Sequence, residues 1–254
     1  MGEGIEVSEA GGVIELRLDR ADKKNALTAA MYHTLTAALA EASTRADVDA
    51  VLIAGNGDAF CAGNDIKDFL APGGGEAAFE FIRAIAAFDK PLVAAVQGLA
   101  VGVGTTMLLH CDLVYAAPDA RFVMPFVNLG IVPEAGSSLL LPARIGHAKA
   151  AAMLLLGEPM DAASAEASGL VTAIVPAEKL LDHARAKAIA LTQRPPEALA
   201  HTRRLMKGDT AALSERIDVE SGLFQQCMQS AEAREAFMAF LEKRPPNFRR
   251  AGPA

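Results

Sequence analysis

Two glycine-punctuated turns, each following a short apolar run, constrain this chain more than any other feature. Residues 60–66 read Phe-Cys-Ala-Gly-Asn-Asp-Ile, and residues 98–106 read Gly-Leu-Ala-Val-Gly-Val-Gly-Thr-Thr. The first is a small-residue turn ending in Asn64-Asp65. The second breaks a strand and opens a helix. Turns of this composition bare their backbone N–H groups, and two of them aimed at one point make an oxyanion hole without side chains. The sequence sets no metal-ligand cluster, no Ser-His-Asp arrangement and no phosphate-loop motif beside them.

Around these turns, strands alternate with helices. Val13-Ile14-Glu15-Leu16-Arg17-Leu18 alternates apolar and polar after Gly11-Gly12, as a half-buried strand does. Thr28 is placed to cap a helix whose apolar stripe is Met31, Leu35, Leu39 and Ala42. Val51-Leu52-Ile53-Ala54 reads as a fully buried strand ended by Gly55-Asn56-Gly57. Pro72-Gly73-Gly74-Gly75 is a break before a helix with Phe79, Ile82 and Ala86 on one face. Residues 92–96, 113–116 and 171–175 give further strands. This alternation indicates β-α repeats. After Pro176 only helical patterns follow, over residues 178–192, 197–207, 210–228 and 231–243, with Asp161, Asp209 and Thr210 as helix starts. The chain therefore divides into an α/β core, residues 1–193, and a helical C-terminal section, residues 194–254. Leu223, Phe224, Met228, Phe237, Met238, Phe240 and Leu241 make the last helices greasy, and part of that set is expected to face another subunit.

Composition narrows the partners. Hydrophobic residues are 52% of the chain, so it is globular rather than disordered. A net charge of −7 without a basic block argues against nucleic acid. A small anion needs only a local cluster such as Arg20, Lys23, Lys24 and Lys67; solvated surface is the plainer reading of those four. Three scattered cysteines, Cys61, Cys111 and Cys227, fit a reducing, cytoplasmic setting rather than a disulfide framework or zinc site. Residues 91–109 carry no charge, but their proline and glycines point to a buried strand, loop and helix start instead of a membrane span. The five histidines have no ligand spacing, and no secretory signal is visible at the N-terminus.

An ordered set of short motifs resembles the crotonase, or enoyl-CoA hydratase/isomerase, superfamily over nearly the whole chain. It comprises Leu18-Asp19-Arg20, Lys24-Asn25-Ala26-Leu27, the turn at residues 59–66, Lys90-Pro91 with the strand to Gly98, Cys111-Asp112, Ala120-Arg121-Phe122, Gly169-Leu170-Val171 and Phe240-Leu241-Glu242-Lys243-Arg244-Pro245. The resemblance implies an α/β fold, a spiral of β-β-α turns closed by a C-terminal helical trimerisation section. It implies an acyl-CoA thioester substrate, with coenzyme A as part of the substrate and no separate cofactor, and a homotrimer or hexamer. It gives the oxyanion-hole amides to Asn64 and Val103. It places substrate binding at Lys24, Ala26, Ala62, Gly63, Asp65, Ile66, Gly104 and Phe126, with Asp112 structural.

Hydratases of this family resemble one another in two glutamates, and this chain has Thr106 and Phe126 at those places. Residues 125–138, Pro-Phe-Val-Asn-Leu-Gly-Ile-Val-Pro-Glu-Ala-Gly-Ser-Ser, instead resemble the Δ3,Δ2-enoyl-CoA isomerase branch, which maps the catalytic base to Glu134. Moving a double bond from C3 to C2 needs one proton taken at C2 and returned at C4, which a single carboxylate can do. The apolar neighbours Ile131, Val132, Pro133 and Ala135 suit a carboxyl raised toward neutrality. On spacing alone Glu134 reads as an N-terminal glutamate of a helix over residues 135–144. Hydration, thioester hydrolysis and plain acyl-CoA binding are the alternatives.

Overall fold

The computed structural model describes residues 4–69, 71 and 74–248. The chain opens with a hairpin of β1 (Ile5–Ala10) and β2 (Val13–Leu18), joined by Gly11 and Gly12 at φ 58° and 79°. Two successive positive φ values make the tight turn that matches strand twist, and glycine adopts them without strain. Helix α1 (Ala29–Thr44) starts where Thr28 Oγ1 accepts from Met31 N. β3 (Ala50–Gly55) follows. The first glycine turn then runs into α2 (Ile66–Phe69), and α3 (Gly74–Ala87) leads to β4 (Leu92–Val96). Pro72 and Gly73 lie outside the described residues, while Gly74 and Gly75 already belong to α3.

The second turn contains β5 (Leu99–Val101), α4 (Val103–Thr106) and a 3-10 turn, Met107–His110. The uncharged stretch is thus a strand, loop and helix start. Among the described residues no helix is long and apolar enough to cross a membrane. Next come β6 (Leu113–Ala116), β7 (Arg121–Val123), α5 (Ser137–Ile145), α6 (His147–Leu155), β8 (Met160–Asp161), α7 (Ala162–Ser168) and β9 (Ala173–Ile174). Four helices complete the chain: α8 (Ala177–Thr192), α9 (Pro196–Lys207), α10 (Thr210–Met228) and α11 (Ala231–Leu241). Asp161 and Asp209 do cap α7 and α10.

The main sheet has the order β1-β2-β3-β4-β6-β9, parallel beyond the first pair. A smaller sheet, β5-β7-β8, stands beside it. Strands β3 and β4 are buried on both faces, which is why they read as unbroken apolar runs. Val51, Ile53, Leu92, Ala94 and Val96 join α1 and α3 in the larger core. Leu52, Ala54, Val93 and Ala95 face Leu180, Ala184 and Ala188 of α8.

Three element boundaries move by two residues. The strand expected over residues 171–175 shortens to β9, although Thr172 N and Val175 N still donate to Val114 O and Ala116 O. The last helix ends at Leu241, two residues early, and Lys243 turns left-handed at φ 53°. The helix expected to begin at Ala135 begins at Ser137, because Ala135 and Gly136 are both left-handed, at φ 61° and 69°. Glu134 is therefore outside the helix and does not cap it.

Candidate active site

The first turn is built from behind. Asn25, fully buried and itself at φ 56°, donates from Nδ2 to Asn56 O and Ala59 O, at 2.8 Å each. Ala62 N donates to Lys24 O, and Leu27 N to Gly63 O. The Cys61 carbonyl accepts from Val101 N at 2.9 Å, which straps the first turn to β5. Gly104 has no room for a side chain, since a Cβ there would sit 2.7 Å from Cys61 O and 2.8 Å from Cys61 Cβ. The two turns can therefore approach only because these positions are small.

This approach leaves two amides over. Among the described residues neither Asn64 N nor Val103 N has a protein acceptor. Both residues line one cavity of about 380 Å³, together with Ala62, Gly63, Ile66, Phe126 and Glu134. Its far wall is aromatic. Phe224 of α10 meets Phe69 and Phe79 edge-on, with ring centroids 6.0 and 5.4 Å away, and Phe237 of α11 closes the same side. Part of the greasy C-terminal set thus faces the cavity, while Leu223, Met238 and Leu241 stay about half exposed.

Among the described residues lining the cavity, Glu134 is the only acidic one. It is 6% exposed. Thr106 Oγ1, on α4, donates to its Oε1, and its Oε2 is buried without a partner among the described residues. Burial pushes the carboxyl up to about 8; the Thr106 hydrogen bond opposes the shift and the charge of Glu220 adds to it. The residue standing where the resemblance puts a hydratase glutamate is thus a hydroxyl bound to the remaining carboxylate, and Phe126 is buried apolar wall.

The other expected site residues divide. Lys24, Ala26, Asp65 and Gly104 do not line the cavity. They form its backing: Lys24 and Ala26 through their carbonyls, the latter accepting from Arg20 Nη1 at 3.0 Å, and Gly104 through its close packing. Asp65 accepts from Arg20 Nη1 at 2.7 Å and from Lys67 N at 3.1 Å, which braces the turn and holds its carboxyl below the ordinary range despite partial burial. Arg20 in the expected cationic cluster is thereby paired, while Lys23, Lys24 and Lys67 are exposed. Asp112 accepts from Leu92 N and Arg203 Nε, a structural tie between β4 and α9.

Cys61 is packing, not a nucleophile: burial pushes its thiol up to about 12. His110 is satisfied as well. Its Nε2 donates to Ala135 O at 2.9 Å, and burial lowers it to about 4, so the ring is neutral. Among the described residues no group of three or more His, Cys, Asp or Glu could hold a metal ion.

Sequence reasoning missed Tyr32. It sits on the buried stripe of α1, lines the cavity, and donates its hydroxyl to Asn64 Oδ1. Its spacing with Leu35 and Leu39 marks it as inward-facing, but not as a neighbour of Asn64.

Comparison with known proteins agrees with this geometry. The enoyl-CoA hydratase/isomerase family model matches residues 8–251. A Rhodobacter capsulatus protein named "Probable enoyl-CoA hydratase" is 38% identical over 250 residues, covering 96% of each chain. The rat protein "Enoyl-CoA delta isomerase 2" is 36% identical over 253 residues, covering 96% of this chain and 64% of its own. The crystal structure of an enoyl-CoA hydratase/isomerase from Pseudoalteromonas atlantica superposes with a TM-score of 0.93 at 38% identity, over 97% of this chain and all of the other. The buried carboxylate, the two unpaired amides and these matches lead to one conclusion: this chain is a member of the crotonase, or enoyl-CoA hydratase/isomerase, family.

Proposed function

We propose that the protein is an enoyl-CoA isomerase that moves a double bond from C3 to C2 through a dienolate. One observation carries this reading: a single buried carboxylate, with one oxygen unpartnered, shares an apolar cavity with two unpaired amides. The thioester oxygen accepts from Asn64 N and Val103 N. Ionised Glu134 takes the C2 proton, the electron pair spreads over the dienolate onto that oxygen, and the same carboxyl returns the proton at C4. Backbone donors fixed before the reaction stabilise the dienolate charge; one such donor is worth about 3–4 kcal/mol of barrier. Thr106 holds Glu134 and leaves Oε2 free to move the proton. Ala62, Gly63, Ile66 and Phe126 border the acyl thioester, and Lys24, Ala26, Asp65 and Gly104 support the turns that grip it. Coenzyme A enters and leaves with the substrate.

The names of several relatives favour hydration as the second reading. The chain opposes it by having Thr106 and Phe126 where the resemblance calls for glutamates. Strongly exposed Leu205 and Met206 on α9, 82% and 77% accessible, support assembly into a homotrimer or hexamer, and the scattered thiols support a cytoplasmic setting. The deciding experiment offers a 3-enoyl-CoA and crotonyl-CoA to the wild type and to Glu134→Gln. The proposal expects conjugated 2-enoyl-CoA from the first substrate, little 3-hydroxyacyl product or free coenzyme A from the second, and at least about a 10²-fold drop in the variant. Faster hydration than isomerisation, or full isomerase activity in the variant, overturns it.

A further inference from the structure

The turn that carries Glu134 is held by a residue from the other end of the chain. Helix α5 has no side-chain cap of its own. The first amides of a helix need acceptors when buried. Here Glu220, on α10, supplies them: Oε2 accepts from Gly136 N at 2.6 Å and Oε1 accepts from Ser138 N at 3.0 Å. Glu220 is 4% exposed. Around it, Leu213 of the same helix lies where a side chain on Gly136 would go. From the far side His110 donates to Ala135 O. Ala135 itself is left-handed at φ 61°, a conformation that strains a non-glycine residue and persists only when its surroundings enforce it.

We propose that Glu220 is a positioning residue for Glu134, fixing the left-handed Ala135-Gly136 turn and placing a second negative charge behind the proton-transferring carboxyl. The inference rests on Glu134 as the base.

Its physical content is twofold. Two charge-assisted hydrogen bonds stop the turn relaxing toward a right-handed helix, which would swing Glu134 away from the acyl cavity. The charge of Glu220 also disfavours a second charge at Glu134, so it helps keep Glu134 protonated near neutrality. Burial raises the Glu220 carboxyl, and the two amides and Arg216 oppose that shift by favouring its ionised form; Arg216 Nη1 also donates to Ser138 Oγ at 3.1 Å. Three neutral groups also stand close to the pair. Thr106 reaches Glu134 from α4; Tyr32 on α1, its hydroxyl pushed well up by burial, lines the same cavity as Glu134; and His110 sits behind Ala135.

The test compares full-length wild type, Glu134→Gln, Glu220→Gln and Glu220→Asp. One readout is kcat/KM against pH with a 3-enoyl-CoA. The other is the titration of Glu134 in unliganded protein, by NMR of ¹³C-labelled glutamate carboxyls assigned through Glu134→Gln. Glu220→Gln removes the charge, so the Glu134 midpoint and the acidic limb of activity move down together, by up to about one unit. Glu220→Asp keeps the charge but shortens the reach, so kcat falls about 10-fold or more while the midpoint stays. An unmoved Glu134 midpoint in Glu220→Gln overturns the proposal. So does an undiminished kcat in Glu220→Asp, which also decides the case if the glutamine variant does not fold. If Glu134→Gln keeps its activity, it is the assignment of the base that fails, and the NMR titration still reads the coupling between the two glutamates.

Discussion

Glu134 should weaken the fold it serves, and by an amount that depends on pH. Its carboxyl rises from 4.5 to about 8 on folding. Between those values the native state binds a proton that the unfolded chain does not, so stability falls as pH rises. The contribution is fully present below about pH 4.5 and is lost as pH rises through about 8. At 1.36 kcal/mol per unit, the loss reaches about 4–5 kcal/mol at pH 9. Glu134→Gln keeps the shape of the protonated acid and never ionises. Urea unfolding of wild type and variant at a series of pH values from 5 to 9 isolates Glu134 together with its coupling to Glu220, because the titrations of groups remote from the pair are common to both. The two proteins should differ by no more than about 1 kcal/mol at pH 5, and the variant should be the more stable by about 3–5 kcal/mol at pH 9. A stability difference that does not change with pH would refute the argument, for it would mean that Glu134 titrates alike in the folded and unfolded chains.

Two further outcomes follow from the same geometry. Thr106→Val deletes the hydrogen bond that favours ionised Glu134, so the acidic limb of the activity profile should move to higher pH; a limb that moves down, or not at all, removes Thr106 from the description of the base. Brief treatment with iodoacetamide near neutral pH should label Cys227 well before Cys61 and Cys111, which are buried and pushed up to about 12, as peptide mass mapping will record.

Legibility in the sequence followed burial. β3 and β4 were plain because both of their faces are covered, which demands apolar residues at every position. β1 carries no such signal: it is an edge strand with Glu6, Ser8 and Glu9 in solvent. β7 and β8, at three and two residues, are too short to show a period. At the site, the small residues of the two turns stood out because close backbone approach tolerates little else, and the apolar neighbours of Glu134 pointed to its burial. Tyr32 did not stand out, since an inward-facing tyrosine on a helix reads as core. Nor did Glu220, which reads as an ordinary surface charge until the fold sets it against amides 84 and 82 residues earlier.

The chain by itself determined its α/β repeats, its helical end, the two glycine turns and the carboxylate worth watching, because each is written in a local period or in the backbone demands of single residues. Only the tertiary structure decided that Asn64, Val103 and Glu134 share one cavity, that Phe224 and Phe237 return from the C-terminal helices to wall it, and that Glu220 grips the turn behind the acid. Those relations join residues from distant parts of the chain. They are fixed by the summed packing of a whole core, which no stretch of sequence carries alone.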